Sequence, residues 1–332
     1  SRLPEGSRAV TDAIDPAVAL SVLEDFEHRL DPAHPEAAGA NVLAYGEISA
    51  ALTLEQVPAL RGLVLKRMSG FADPASAANY RTLLTEYLSR LRELEIATVS
   101  TSAVTVAVPG RRPCVYLLQP LMPADTLGNR VLHEASDEAL STAVSQVLDQ
   151  SLKAFVANAA APTDQLSIDA QLSNWTFRPD GAPPWLIDVG TPFIRRRDGH
   201  AFDQEILLAA VPPGIRSYYR RKGTASAYMD DYFDPRLLAM DILGNFEKEG
   251  AAQRIPVALT AANAWLAGPA KQVQQQLGSP SEGPITEAQV AEYYKQDAAT
   301  LELFLRVRRI DRAVRKAFRR RYDFILPGPV HR

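Results

Sequence analysis

The chain has 332 residues, of which 46% are hydrophobic, and this content is ample for a packed core and excludes a disordered protein. Its formal net charge of −3 gives no overall attraction to nucleic acid or to an anionic membrane. The single cysteine, Cys114, excludes an internal disulfide and a cysteine-based zinc cluster.

Hydropathy predicts a cytoplasmic protein. No apolar run approaches the roughly 20 residues that are needed to span a bilayer. The first residues, SRLPEGSRAVTDAIDPAV, lack the apolar core of a signal peptide. We therefore expect neither a membrane span nor export.

The first third of the sequence predicts one helix followed by short strands. Asp15-Pro16 is a typical helix start, and Val22, Phe26 and Leu30 follow it at four-residue spacing. Alternating apolar runs then flank a second helical pattern. These elements are NVLAYGEIS (41–49), RGLVLKRM (61–68), the helix Ala75–Leu94, ATVSTSAVTVAV (97–108) and PCVYLLQPL (113–121). The predicted order is β-β-α-β-β.

The rest of the chain is predicted to be mostly helical, with one hairpin. In the hairpin, NWTF (174–177) and PWLIDV (184–189) flank RPDGAP, whose Asp180-Gly181 pair is typical of a tight turn. The predicted helices are Ala139–Ala160, Phe202–Ala210, Pro235–Glu249, Val257–Leu266, Thr286–Tyr294 and Ala298–Tyr322. The predicted fold class is α+β, with an N-terminal helical extension (1–40), a small β-rich part (41–120) and a larger helical part (121–332).

Four polar residues are candidates for chemistry. Mg²⁺ prefers hard oxygen ligands, and the hairpin returns Asp188 beside Asn174. A carboxylate within reach of a hydroxyl can orient it and accept its proton, and Asp169 is the candidate for that role. Lys66 lies inside an apolar strand, where a buried ammonium requires an anion such as a phosphate or a carboxylate.

The D-x-x-x-x-N spacing of Asp169 and Asn174, followed across a hairpin by Asp188-Val189-Gly190, resembles the catalytic segment of the protein-kinase-like fold. The resemblance is nearest to the aminoglycoside phosphotransferase branch and covers residues 41–190. It implies a bilobal protein-kinase-like fold, with a β-rich N-lobe and a mainly helical C-lobe. It also implies that Asp169 engages the acceptor hydroxyl, and that Asn174 and Asp188 hold Mg²⁺.

The same resemblance implies an ATP site. Lys66 is expected to contact the α- and β-phosphates and to pair with Glu86 of the helix that comes next. The turn at Gly46, with Ser49 as a hydroxyl donor, is expected to cover the phosphates. The hinge Leu118–Leu121, which includes Gln119, is expected to meet the adenine edge.

Two departures from the family pattern bear on activity. Ser167 stands where the family usually has a histidine, and Gly46 stands alone where protein kinases have three glycines. No A-P-E segment follows Asp188, which disfavours a protein substrate. The expected function is therefore ATP- and Mg-dependent transfer of phosphate to a hydroxyl of a small molecule. A pseudokinase that binds nucleotide or acts as a scaffold is an alternative, and so is AMP transfer from ATP.

Two further segments carry predictions. Segment 231–246 resembles the family's central helix, in which Asp241 would either bind the catalytic loop or face solvent. Residues 306–321 include nine Lys/Arg, and we expect their apolar stripe to pack while the basic face stays in solvent. A role for this segment in binding phosphate, RNA or acidic lipid is the alternative, so nucleic acid is left open as a partner. The stripe consists of Val307, Ile310, Val314 and Phe318.

Overall fold

A five-stranded antiparallel sheet precedes a mostly helical remainder, which confirms the predicted α+β class. This computed structural model describes residues 16–46, 48–279, 283–318 and 321–327. The strands of the sheet are β1 (Asn41–Tyr45), β2 (Ser49–Thr53), β3 (Leu63–Met68), β4 (Ser102–Val106) and β5 (Cys114–Pro120), in the spatial order β1-β2-β3-β5-β4.

Three strands, and not the two predicted, precede the helix that interrupts the sheet. The run from Asn41 reverses direction at Gly46, whose N–H donates to the carbonyl of Ser49 over 2.9 Å. β1 therefore pairs with β2 as a hairpin. The sequence analysis predicted one strand over residues 41–49, because Gly46 is the only turn residue within this apolar run.

The two-residue period of β3 separates its side chains between the two faces of the sheet. Leu63, Leu65 and Arg67 point to one face, here called the back face. Lys66 and Met68 point to the other, the front face, where Met68 joins the core shared with the helical remainder. The strand thus presents one cation to each side of the sheet.

The N-terminal helix α1 (Pro16–Arg29) covers the back face. Leu23 and Phe26 are fully buried in the same cluster as Leu52 and Leu65 of the sheet. Ile325, from the end of the chain, joins this cluster. The first helix is therefore a layer of the sheet's own core.

A buried ionic network ties both ends of the chain to the back face. Arg67 Nε lies 2.5 Å from Glu27 Oε1 of α1, and the Tyr116 hydroxyl donates to the same oxygen over 2.5 Å. Arg67 Nη1 also donates to the carbonyl of Asp323 over 2.6 Å. Burial raises the pKa of Glu27, but the charge and hydrogen bond of Arg67 outweigh this effect and hold the pKa below its ordinary value.

Helix α2 (Pro74–Glu93) packs on the front face. Asp73 and Ser76 form a reciprocal capping box at its start. Five side chains point inward, namely Ala77, Tyr80, Leu84, Tyr87 and Leu91. Two of them carry hydroxyls toward the segment that contains the predicted catalytic residues.

The remainder consists of nine helices within the described residues, with α4 and α9 packed against each other in its core. The helices are α3 (Gly128–Glu134), α4 (Asp137–Ala160), α5 (Gln204–Leu208), α6 (Pro213–Lys222), α7 (Thr224–Asp230), α8 (Pro235–Lys248), α9 (Ile255–Ala267), α10 (Lys271–Leu277) and α11 (Glu287–Ala317).

Small strands complete the helical part. β7 (Trp175–Thr176) pairs with β8 (Trp185–Leu186), which confirms the predicted hairpin. β6 (Asp164–Leu166), β9 (Ile194–Arg196) and β10 (Gly199–His200) form a three-stranded sheet in the order β10-β9-β6.

Two helical predictions are corrected. The two helices predicted from Thr286 onward are one helix, α11, because no glycine or proline interrupts residues 287–317. Helices α6 and α7 were not predicted, and Gly223, with a φ of 64°, separates them. No helix in the described part of the chain is long and apolar enough to cross a bilayer.

The orientation of α11 is also opposite to the prediction for its C-terminal half. Arg308 is buried, whereas Ile310, Val314 and Phe318 of the predicted packing stripe are exposed. The reason lies in the aromatic residues after the helix, because the Arg308 guanidinium carbon sits 4.9 Å from the ring centre of Phe324. Arg308 Nε also donates to the hydroxyl of Tyr322 over 3.1 Å.

Candidate active site

The front face of the sheet meets the helical part at an ion pair. Lys66 Nζ lies 2.5 Å from Asp188 Oδ1, although 122 residues separate them in the chain. Both side chains are partly buried, with exposed fractions of 17% for Lys66 and 35% for Asp188. The anion expected opposite Lys66 is therefore this carboxylate.

The backbone that carries Asp188 is held on both sides. Leu186 N–H donates to the carbonyl of Ala97 over 2.9 Å, and Ile187 N–H donates to the carbonyl of Asn174 over 2.8 Å. The Gln119 side chain donates to the carbonyl of Ile187 over 2.7 Å. The hairpin and the sheet together set the position of Asp188.

Gly190 makes room for the lysine. A Cβ at this position would lie 2.9 Å from Lys66 Nζ and 3.3 Å from Asp188 Oδ1. The Gly190 N–H donates to Asp188 Oδ1 over 2.9 Å, and its carbonyl accepts from the Tyr80 hydroxyl over 2.8 Å. An alanine at this position would therefore have to displace the ammonium, which is the flexible end of the Lys66 side chain.

The Lys66 charge also sets the protonation state of Asp188. Burial raises the pKa of Asp188, but the charge and hydrogen bond of Lys66 and the N–H of Gly190 outweigh this effect and hold the pKa below its ordinary value. Asp188 is therefore an anion at neutral pH.

Asp169 has the opposite electrostatic environment. Burial raises the pKa of Asp169 to about 7, and the negative charges of Asp241 and Asp188 contribute to the rise. Its Oδ1 accepts one hydrogen bond, from the N–H of Gln171 over 3.2 Å. A carboxyl group with this pKa can hold or release a proton near pH 7.

Gln171 connects the loop of Asp169 to helix α8. Its amide nitrogen donates to Asp241 Oδ2 over 3.0 Å, and its amide oxygen accepts from Lys248 Nζ over 3.2 Å. Asp241 thus contacts the loop through the side chain of Gln171. The positive charge of Lys248 acts to lower the pKa values of both Asp169 and Asp188.

Ser167 steadies the loop at the position where the family resemblance led us to expect a histidine. It is buried, its hydroxyl donates to the carbonyl of Tyr232, and its N–H donates to the carbonyl of Phe193 over 2.9 Å. The Tyr87 hydroxyl of α2 donates to the Ser167 carbonyl over 2.8 Å. A small hydroxyl therefore anchors this segment from inside.

The predicted pairing of Glu86 with Lys66 is wrong in this structure. Glu86 lies on the outer side of α2, where both of its carboxylate oxygens are 2.7 Å from Arg196 Nη2. Arg90 is its second basic neighbour, at 3.9 Å. The inward positions of α2 carry tyrosines and leucines instead.

The predicted nucleotide-contacting residues lie at separate parts of the sheet. Gly46 and Ser49 meet at the β1–β2 turn, where a Cβ on Gly46 would lie 2.7 Å from Ser49 Oγ. Gln119 is 3% exposed, and its side chain links Ile187 and Thr101. Gln119 therefore supports the segment of Asp188 through its side chain.

The oxygen ligands expected for Mg²⁺ suit a small hard cation. Within the described residues, the half-buried Asn174 side-chain amide has no hydrogen-bond partner, and Lys66 and Gly190 both contact Oδ1 of Asp188, not Oδ2. No group of three or more His, Cys, Asp or Glu side chains that could hold a metal occurs there. Two oxygen donors agree with the way Mg²⁺ is bound beside phosphates, where it keeps several waters.

Sequence reasoning missed several residues of this site. Tyr80 and Tyr87 counted only as apolar positions of a helix, yet their hydroxyls hold the loops of Asp188 and Asp169. Gln171 and Lys248 carried no pattern of their own. For Gln171, the available signal was its position two residues after Asp169.

Comparison with known proteins assigns a family. No curated protein matches the sequence. A family model described as a family of unknown function (DUF6206) matches residues 32–312, which is most of the chain. The protein is therefore a member of the DUF6206 family.

Proposed function

We propose that this protein is an ATP- and Mg-dependent phosphotransferase that acts on a hydroxyl of a small molecule. In this proposal the sheet with α2 is the N-lobe of a bilobal kinase-like fold and the helical part is the C-lobe. The observation that carries the proposal is the contact between Lys66 of the sheet and Asp188 of the helical part. A lysine and a metal-binding carboxylate on facing elements are what triphosphate binding requires.

The acceptor side rests on Asp169. A general base works best when its pKa lies near the operating pH, and the pKa of Asp169 is about 7. In the proposed reaction Asp169 orients the acceptor hydroxyl and accepts its proton as the phosphoryl group is transferred. Gln171 fixes the loop through Asp241, so the carboxylate has a defined direction.

The metal side rests on Asn174 and Asp188, which would hold Mg²⁺. The ion, when bound, supplies positive charge to the triphosphate. Lys66 would then contact phosphate oxygens in place of the Asp188 carboxylate; in the resembling family a strand lysine contacts the α- and β-phosphates. Lys248 is a second cation on this side of the site, and its charge lowers the pKa values of Asp169 and Asp188.

A small acceptor is favoured by the arginines that come after Asp188 in the chain. Arg195 bonds Asp230 over 2.9 Å, and Arg196 bonds Glu86, so these arginines are engaged by neighbouring carboxylates. Their charges are therefore neutralised within the protein and are not available to bind an acidic peptide. The absence of an A-P-E segment in the sequence points the same way.

One observation favours the alternative of a pseudokinase. Lys66 and Asp188 neutralise each other directly, so nucleotide binding must break a partly buried ion pair. Glu86 gives Lys66 no second partner. In a scaffold protein of this fold, the ion pair between Lys66 and Asp188 would never need to break.

Thermal unfolding with ATP, with and without Mg²⁺, tests the proposal. A ligand that binds only the folded state at 100 times its Kd stabilises it by about 2.7 kcal/mol. We expect Mg-dependent stabilisation, slow ADP release, and loss of ADP release in Asp169→Asn with stabilisation retained. The matched control is Asp25→Asn, on the exposed side of α1. A lack of stabilisation supports the scaffold, and release of AMP or pyrophosphate supports AMP transfer.

A further inference from the structure

The end of α11 exposes an apolar stripe. Ile310, Val314 and Phe318 are 58%, 48% and 73% exposed, and their four-residue spacing places them on one side of the helix. The opposite side carries the buried Arg308. A surface helix normally turns its apolar stripe toward the core, so an apolar stripe that is exposed to this extent requires an explanation.

Helix α6 extends this exposed surface. Ile215 and Tyr218 of α6 are 36% and 56% exposed. Burial lowers the pKa of Arg216 on the same helix, and the positive charges of Arg112 and Arg315 lower it further. Arg216 therefore lies within electrostatic reach of Arg112, in the β4–β5 turn, and of Arg315, near the end of α11.

Basic residues lie near the apolar positions, and two of them have carboxylate partners: Arg220 lies 2.6 Å from Glu205 and Arg315 lies 2.9 Å from Asp311. Helix α6 ends in Arg220, Arg221 and Lys222, and the last turn of α11 carries Arg315 and Lys316. Residues 306–321 include nine Lys/Arg against a single acid, whereas the whole chain has a net charge of −3. Two of the nine are engaged inside the protein, because Arg308 is buried and Arg321 lies 3.7 Å from Glu27 and 3.3 Å from Asp323. Positive charge is therefore concentrated at this end of an otherwise acidic protein.

We propose that this surface, formed by the exposed stripe of α11 with α6 and their basic residues, docks on an anionic lipid bilayer. Aliphatic and aromatic side chains would enter the headgroup region, and the surrounding Lys and Arg would contact lipid phosphates. We call it the lipid face. The proposal is independent of catalysis.

Two other partners fit this chemistry less well. A symmetric contact between two copies would bring the same basic residues together, and like charges oppose it. Nucleic acid would engage the basic residues but would set Ile310 and Val314 against phosphates, since single strands stack on aromatic rings and not on branched aliphatic groups. A bilayer satisfies the charge and the apolar stripe together.

Vesicle co-sedimentation of the full chain tests the lipid face. We expect binding to phosphatidylcholine vesicles that contain phosphatidylglycerol, and none to pure phosphatidylcholine. The double substitution Val314→Ser with Phe318→Ser should weaken binding at least tenfold. Lys316→Glu with Arg221→Glu should weaken it more, because each basic residue near an anionic surface contributes about fivefold.

Two control variants show whether an effect is specific to the lipid face or follows from the loss of any exposed apolar or basic side chain. Val156→Ser removes an apolar side chain that is 53% exposed on α4, and Lys271→Glu reverses an exposed charge on α10. Both should bind vesicles like the wild type. Circular dichroism checks that each variant is folded.

Several results would overturn the proposal. The first is that the wild-type protein does not bind anionic vesicles. The second is that the substitution of Val314 and Phe318 leaves vesicle binding unchanged. The third is that Val156→Ser or Lys271→Glu weakens vesicle binding as much as the substitutions on the lipid face do. If vesicles are not bound, an RNA complex that weakens steeply with salt assigns the face to nucleic acid. A concentration-dependent dimer that Val314→Ser with Phe318→Ser dissociates assigns it to a second copy.

Discussion

Substituting Asp169 by Asn should stabilise the protein at alkaline pH and not at acidic pH. The pKa of Asp169 lies near 7 in the folded protein, against about 3.9 in an unfolded chain. Between these values the folded state holds a proton that the unfolded state has lost, so wild-type stability falls as the pH rises through this window. Asn has nearly the same shape, still accepts from the Gln171 N–H, and never ionises.

The magnitude is set by the width of that window. Each pH unit is worth about 1.4 kcal/mol, so ionised Asp169 costs at most about 4 kcal/mol above pH 7. Between pH 5 and pH 8 the advantage of Asp169→Asn over the wild type should therefore grow by about 2–3 kcal/mol. The charges of Asp241 and Asp188 account for part of this growth.

Urea unfolding at pH 5 and pH 8, without nucleotide or Mg²⁺, measures this difference. Asp25→Asn, on the exposed side of α1, controls for loss of a carboxylate elsewhere. If Asp169→Asn and the wild type differ by the same free energy at both pH values, the electrostatic account of the site is refuted.

Three other predictions concern the ion pairs. Lys66→Met should weaken Mg-ATP binding at least tenfold in calorimetry while Lys271→Met leaves it unchanged, because the triphosphate then lacks the ammonium that the proposed site places beside it; equal affinities would contradict this role. Glu86→Gln should leave ATP affinity unchanged and alter stability by about 1 kcal/mol or less, since its pairs are exposed; an effect as large as that of Lys66→Met would argue that the two residues pair during binding. Glu27→Gln should cost about 3–5 kcal/mol in urea unfolding, because Arg67 stays buried without a counter-charge. Because the pKa of Glu27 is lowered on folding, its contribution is present above its ordinary pKa of 4.5 and disappears as the pH falls, so the gap between variant and wild type should close in acid.

Local pattern was sufficient to predict most of the strands and the hairpin before Asp188. Short continuous apolar runs identify β3 and β5, and Asp180-Gly181 identifies the turn between β7 and β8. The direct contact between Lys66 and Asp188 was not predicted, because the resemblance implied Glu86 as the partner of Lys66 and 122 residues separate Lys66 from Asp188. Pattern shows that a side chain needs a partner, but not which one.

The predictions that the structure contradicts mainly concern long charged side chains. A mid-helix position did not reveal that Glu86 faces outward, because its partner Arg196 is supplied by a strand 110 residues later. The apolar stripe on α11 was predicted to pack against the protein. The structure buries Arg308 instead, because this side chain contacts the aromatic ring of Phe324 and the hydroxyl of Tyr322. A guanidinium can pack like an apolar group when a ring faces it.

The ionic network on the back face has a practical consequence for shortened fragments. A fragment trimmed to residues 32–312, the limits of the family match, would remove Glu27 on one side and Asp323 on the other. Arg67 would keep its charge inside the sheet with both of these partners deleted. Such a fragment should aggregate during production, whereas one that starts before α1 and extends past Leu326 keeps the layer intact.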